Sequence, residues 1–404
     1  MRDSIFRLGN TKRRSGARYG ALLALVALVA FVAVACDRTP QQNATQPSAP
    51  ASTAGATTPA AGSPPAAASG SYADVVARVA PAVVTVHSAR RVRPPRQHPF
   101  FDDPRFHDFF GIPRGPQSEP PRLQQGLGSG VIVSADGHIL TNHHVIDGAD
   151  EIRVELSDRR TYPARVVGSD PPSDLAVLQV EERNLPVLPI GDSDRARVGD
   201  VVLAIGNPLG LEQTVTAGII SAKGRSTGLS DGSFEDFLQT DAPINQGNSG
   251  GALVSAAGEL VGINSQILSP TGGNIGIGFA IPSNMAKSVM EQLVRMGRVR
   301  RGSLGVTIQP VTPDIAQSLG LREIRGALVN AVVPGGPAER AGVKHGDVIV
   351  AFNGAAVNDP NALRNAVASA QPGAEVTLTI NREGREEQLR ATLGELNTEA
   401  RRPV

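Results

Sequence analysis

Between Gly130 and Gln266 the chain is a series of short apolar or alternating segments, each closed by Gly, Asp or Asn. They fall at 130–134, 138–142, 151–156, 164–168, 176–180, 201–205, 214–220, 252–255 and 260–266. Runs this short are strands rather than helices, and turn residues at such close intervals restrict the region to an all-β barrel or sandwich. A short helix over 74–79 and a strand over 82–86 precede them. Residues 88–126, rich in Pro, Arg and Phe, read as one long irregular loop, a feature that is usually functional or mobile. From Ser283 apolar residues recur at spacings of three and four, which predicts a helix ending near Gly297. The Arg-rich segment behind it marks a junction. Two folded units are therefore expected, at 72–300 and 301–394, the second with mixed α and β signals, followed by a tail at 395–404.

The first 71 residues read differently. Residues 1–35 hold six basic side chains against Asp3, and an apolar run from Ala21 to Ala35 follows the basic start. That run is shorter than the ~20 residues a spanning helix needs and ends in small residues, the pattern of an export signal. It stops at Cys36, the single cysteine, which has no internal disulfide partner. The leader resembles a bacterial lipoprotein signal, which implies lipidation at Cys36 and a membrane tether; an uncleaved anchor or an ordinary cleaved signal is the alternative. Residues 37–71 are almost entirely Ala, Pro, Ser, Thr, Gln and Gly, too poor in apolar surface to order, and read as a spacer. Without the basic leader the remaining chain is mildly acidic, which argues against nucleic acid as a partner.

Gly247-Asn248-Ser249-Gly250-Gly251 places a serine between glycines, a sequence suited to a tight turn that exposes the hydroxyl and aims backbone N–H groups inward. The N–H groups of Gly247 and Ser249 could then stabilise an oxyanion. A serine nucleophile needs a base, and the base an orienting group. Thr141-Asn142-His143-His144-Val145 offers histidines directly after a strand, and Ser173-Asp174-Leu175-Ala176-Val177 offers a carboxylate directly before one. Taken singly, each residue could be a turn or surface residue. The histidines fit no compact metal-ligand spacing and cysteine ligands are lacking, so neither a metal nor a cofactor is expected.

These three motifs in this order, with Leu127-Gly128-Ser129-Gly130-Val131 before them and Ile277-Gly278-Phe279-Ala280-Ile281-Pro282 after, resemble the HtrA (DegP/DegS/DegQ) family of trypsin-like serine endopeptidases. The resemblance implies a mainly β fold: a double β-barrel protease followed by one α+β PDZ domain. It implies His144 rather than His143 as the base, Asp174 as its orienting carboxylate and Ser249 as the nucleophile. Position 243, where trypsin-like enzymes selecting basic residues carry an acid, is proline here, and the family comparison implies cleavage after small aliphatic residues. Ile275 and Ile277 are the expected pocket residues, and Arg225 the expected residue of a regulatory loop.

Arg301-Gly302-Ser303-Leu304-Gly305-Val306 opens the second unit with a glycine turn and a strand. Such a turn can offer N–H groups to a chain-terminal carboxylate while the strand edge adds an extended peptide. Together with Gly346-Asp347-Val348-Ile349 it resembles a PDZ domain, with Ser303, Leu304, Gly305 and Val306 as the peptide-binding residues; too few residues follow for a second copy. Five of the eleven phenylalanines crowd into 100–110, an interaction surface by composition. The family likeness further implies ATP-independent cleavage of misfolded envelope proteins through an acyl-enzyme in the bacterial periplasm, and a homotrimer or multiple of it. The competing expectations are a site-specific stress-sensing protease and a chaperone with incidental proteolysis.

Overall fold

The computed structural model describes residues 71–92, 122–207, 213–228, 233–245, 247–267 and 274–396. Cys36, the leader and spacer, the Phe-rich segment and residues 397–404 lie outside them.

Six strands, β1 (Val83–Val92), β2 (Arg122–Ile132), β3 (His138–Thr141), β4 (Glu151–Glu155), β5 (Thr161–Asp170) and β6 (Leu175–Val180), close a barrel in the order β1-β2-β3-β6-β5-β4. Six more, β7 (Val201–Gly206), β8 (Thr214–Arg225), β9 (Phe237–Thr240), β10 (Ala252–Ser255), β11 (Leu260–Ile267) and β12 (Gly278–Pro282), close a second one in the order β10-β11-β12-β9-β8-β7. A helix, α1 (Ala73–Val79), precedes the first barrel; a one-turn helix, α2 (His143–Ile146), follows β3; and α3 (Ser283–Met296) follows β12, stopped by Gly297 at φ 69°.

The strands that face both ways explain where the barrels meet. A strand with one wet face alternates, as Glu151-Ile152-Arg153-Val154-Glu155 does in β4. The continuous apolar runs of β6 and β7 instead bury both faces. Ala176 and Leu178 point into the first barrel beside Val86, Ile132 and Ile139, while Leu175 and Val177 pack into a second core with Leu203, Ile205 and Ile263. Across the seam, Val202 and Ala204 fill the second barrel with Leu238 and Leu253. Each fully buried aliphatic side chain stabilises by about 1.5–3 kcal/mol, so the seam is a core in its own right. Leu293 of α3 seals it from one side.

The loop expected over 88–126 is shorter at both ends. β1 continues to Val92 and β2 starts at Arg122, paired residue for residue, with Ser88 opposite Gly126 and Arg91 opposite Leu123. A backbone ladder imposes the extended form on this polar stretch, whose side chains carry no alternating signal.

The second unit is a sheet ordered β14 (Val306–Pro310), β15 (Ala327–Val332), β16 (Val348–Phe352), β18 (Glu375–Arg382), β19 (Arg385–Thr392), with β17 (Ala355–Ala356) paired to β16. Its core holds Leu304, Val329, Ile349, Leu363, Leu378 and Ile380. The short strands β13 (Gly302–Ser303) and β20 (Gly394–Glu395) pair its two ends, so Glu395, read from sequence as tail, belongs to the fold and pairs with Arg300. Helices α4 (Pro313–Ser318), α5 (Pro337–Arg340) and α6 (Pro360–Ser369) connect the strands; Asp359 caps α6 through the N–H of Ala362.

The two units are joined through polar contacts. Arg301 grips Asp170 at the end of β5 with both terminal nitrogens (Nη1–Oδ1 2.8 Å), both side chains being over nine-tenths buried. The guanidinium lies 4.5 Å over the Phe234 ring. Asn361 and Asn365 of α6 each donate at 2.7 Å to the backbone carbonyl of Glu235, just before β9.

Candidate active site

The first barrel brings a histidine and an aspartate together. Asp170 accepts from the N–H and the hydroxyl of Ser173, fixing the turn Pro171–Ser173 that leads into β6. Asp174 leaves that turn at φ 54°, a left-handed conformation that costs a non-glycine residue about 1 kcal/mol or more. Its backbone is held there: the carbonyl accepts from the N–H of His143 (3.1 Å) and from Asn142 Nδ2 (2.9 Å). The carboxylate then faces His144, accepting from its backbone N–H at 3.0 Å and lying 2.8 Å from its Nδ1. A carboxylate at Nδ1 places the ring proton there and leaves Nε2 as an acceptor. His143, the neighbouring histidine, faces Asp147 at 3.6 Å instead.

The second barrel contributes the serine turn. Gly247 and Gly250 sit at φ 98° and 83°, where side chains are disfavoured, and a Cβ on Gly250 would lie 2.1 Å from the Ser129 carbonyl oxygen. The Asn248 carbonyl accepts from the N–H of Gly251, and the N–H of Gly250 donates to the Asn264 carbonyl. Among the described residues no backbone acceptor takes the N–H of Gly247 or of Ser249. The Ser249 hydroxyl donates to the Ser265 carbonyl at 2.9 Å, and the Ser265 hydroxyl donates to Asp174 Oδ2 at 3.0 Å. Ser265, on β11, thus touches both the serine and the aspartate. Sequence reading missed it, because nothing local marks a residue whose two contacts lie 16 and 91 positions away.

The other expected residues fall in three places. Ile277 packs half-buried against the seam, whereas Ile275 is 55% exposed; their loop is tied down by Asn274, which donates to the Ile244 carbonyl at 3.1 Å. Asp241, the acid near position 243, accepts from the Ile219 N–H at 2.7 Å. Arg225 is exposed at the end of β8, and the residues after it, Ser226 to Gly228, all donate to the Glu235 carboxylate. Burial opposes charge on that carboxylate, but these hydrogen bonds outweigh it and hold its pKa below the ordinary 4.5. In the second unit Ser303 lies in β13, Leu304 is buried with its carbonyl on the Ala338 N–H, and Gly305 turns at φ 75°. Val306 then opens β14, the outermost strand of its sheet.

Comparison with known proteins agrees with both halves. The trypsin-like peptidase domain profile matches residues 128–263 and the PDZ domain profile residues 302–393. A DegP-like periplasmic serine endoprotease of Chlamydia pneumoniae is 45% identical over 340 residues, covering 81% of this chain and 69% of the relative. The Chlamydia trachomatis counterpart is 48% identical over 75% of this chain, which spans only 62% of that relative's length. Among solved structures, the HtrA-type protease AlgW with decapeptide superposes with a TM-score of 0.63 at 47% identity, covering 81% of this chain and 99% of that one. The serine endoprotease from Yersinia pestis gives a TM-score of 0.54 at 41% identity, covering 82% of this chain and 100% of that one. With two closed barrels, a serine turn facing a His–Asp pair, and a PDZ domain behind them, the chain belongs to the HtrA family of trypsin-like serine endoproteases.

Proposed function

We propose that the chain hydrolyses peptide bonds of misfolded proteins in the periplasm, without ATP, through an acyl-enzyme on Ser249. The observation that carries this reading is the convergence of Ser249, Ser265, Asp174 and His144 through contacts of 2.8–3.0 Å across the barrel seam. In the reaction His144 Nε2 takes the Ser249 proton as Oγ attacks the carbonyl carbon. The negative charge gathers on the carbonyl oxygen, and the N–H groups of Gly247 and Ser249 are the proposed donors to it. Asp174 keeps the Nδ1 proton in place and stabilises the imidazolium. His144 then gives its proton to the leaving amine, and water, deprotonated by the same nitrogen, releases the acyl group.

Proline at 243, the engagement of Asp241 on the Ile219 N–H and the apolar, half-buried Ile277 support the proposed preference for cleavage after small aliphatic residues. The outer edge of β14, which pairs with no strand among the described residues, suits capture of a peptide terminus by strand addition. Periplasmic location rests on the relatives' names, and tethering through Cys36 and assembly into trimers rest on the sequence likeness.

Digestion of unfolded casein, with Ser249→Ala as control, tests the reading. Loss of cleavage only in the variant supports it; equal, negligible digestion by both, with both suppressing aggregation, favours a peptide-binding role instead. A regulated, site-specific protease is a second reading. It is favoured by the Ser249 hydroxyl resting on the Ser265 carbonyl, a bond that must break before His144 can take the proton. Full casein digestion with no added peptide would count against it.

A further inference from the structure

Ser129 lies on β2 of the first barrel, yet most of its polar groups serve the second. It is fully buried, with 0% exposure. Its N–H donates to the Ser249 carbonyl at 2.8 Å and its hydroxyl donates to the Gly247 carbonyl at 2.7 Å. That hydroxyl in turn accepts from the Asn207 N–H at 2.9 Å, and the Ser129 carbonyl accepts from Thr141 Oγ1 at 2.7 Å. One residue therefore holds the carbonyls on both sides of Asn248.

The consequence lies in the peptide between Gly247 and Asn248. At its far end the Asn248 N–H donates to the Asn245 carbonyl at 3.0 Å. At its near end the only hydrogen bond to the carbonyl among the described residues comes from the Ser129 hydroxyl. This plane separates the two N–H groups proposed to receive the oxyanion, so its tilt sets the angle between them. Gly247 has no side chain to resist rotation. Without the hydroxyl the carbonyl would be buried and unpaired, and would gain by turning toward another donor. A deleted hydroxyl leaves less room than a water molecule needs, so solvent does not replace it. The surroundings are close-packed: a Cβ on Gly206 would stand 3.0 Å from Ser129 Oγ and 2.6 Å from Asn248 Oδ1.

We propose that the Ser129 side chain is a positioning group for the reaction, holding the Gly247–Asn248 peptide so that the N–H groups of Gly247 and Ser249 converge on the developing oxyanion. The inference rests on the reading of Ser249 as the nucleophile.

The test compares Ser129→Ala with Ser283→Ala in the full chain. Ser283 is equally buried and its hydroxyl makes an equivalent bond, 2.7 Å to the Gly191 carbonyl, at the start of α3. Hydrolysis of a fluorogenic peptide with valine before the scissile bond gives kcat and KM; a peptidyl boronic acid of the same sequence reports affinity for the tetrahedral adduct. Thermal unfolding is followed by circular dichroism. Ser129→Ala should lower kcat by roughly 10- to 100-fold with KM within about two-fold, and weaken boronate inhibition in proportion. Ser283→Ala should lose similar stability and keep its kcat. The inference is overturned if kcat of Ser129→Ala stays within about two-fold of the parent, if the loss falls on KM, or if Ser283→Ala shares it. Should Ser129→Ala fail to fold, Ser129→Cys, which keeps a weaker donor, reads the same prediction: an intermediate kcat supports it and a parental kcat overturns it. Ser249→Ala runs alongside. If it cleaves like the parent, the nucleophile reading fails and takes this inference with it; if it is inactive while Ser129→Ala is parental, only this inference fails.

Discussion

The serine turn and the outer edge of β14 are the two places proposed here to meet a peptide, and they are built in opposite ways. From Gly247 to Gly251 most of the backbone is committed to the protein: Ser129, Asn245 and Asn264 take or give its hydrogen bonds, and among the described residues no backbone acceptor takes the N–H groups of Gly247 and Ser249. Among the described residues β14 pairs with β15 on one side and with no strand on the other. The contrast teaches what each task requires. Transition-state stabilisation needs donors fixed before the charge appears, whereas capture by strand addition needs hydrogen-bonding capacity that the fold has left unused.

The comparison can be broken first at the turn. Ser249→Ala should reduce kcat/KM for casein or peptide hydrolysis by ~10⁴-fold or more, because the acyl-enzyme cannot form. A variant within tenfold of the parent would remove the chemistry from this turn altogether.

The next largest effect belongs to the joint between the two regions. Arg301→Ala leaves the Asp170 carboxyl buried and short of its partner, and should cost about 3–5 kcal/mol in denaturant unfolding. Replacing both residues by apolar ones should recover much of that loss; if it costs more than the single change, the pair is not the source.

The edge is tested at Gly305, whose φ of 75° admits a side chain only with strain of about 1–3 kcal/mol. Gly305→Ala should weaken binding of a labelled peptide with a free C-terminus by roughly tenfold, read by fluorescence anisotropy. An affinity equal to the parent's would place peptide capture elsewhere.

The smallest effect is electrostatic. Glu235 has a depressed pKa in the folded protein, so its contribution is complete above the unfolded value of about 4.5 and fades as pH falls through the lower folded one. Glu235→Gln should therefore be less stable than the parent at neutral pH by about 1–2 kcal/mol, and the gap between their melting curves should close in acid. A gap that persists or widens in acid would show that the carboxylate charge is not what holds Ser226 to Gly228.

Much of the site was legible because its residues carry local signals. Asp174 precedes an apolar run, His144 follows one, and Ser249 stands among glycines whose positive φ angles explain why they are glycines. The spacing of turns narrowed the first unit to a barrel or sandwich, and the resemblance carried by the motif order supplied the double barrel. What escaped notice depends on contacts between distant segments. Ser265 and Ser129 look like ordinary strand serines until the barrels close on each other. Arg301 read as the first residue of a peptide-binding turn, yet its guanidinium is buried against Asp170, 131 positions earlier. The extension of β1 and β2 across 88–92 and 122–126 was hidden too, because pairing rather than side-chain pattern makes those residues strands.

The seam has one further consequence. Each barrel closes on its own strands, and neither contains the proposed base and the proposed nucleophile together: His144 belongs to one, Ser249 to the other. If those roles hold, a chain with a single barrel formed has no means of cutting its neighbours. On that reading proteolytic competence is a property of the finished molecule, absent until both barrels have closed and met.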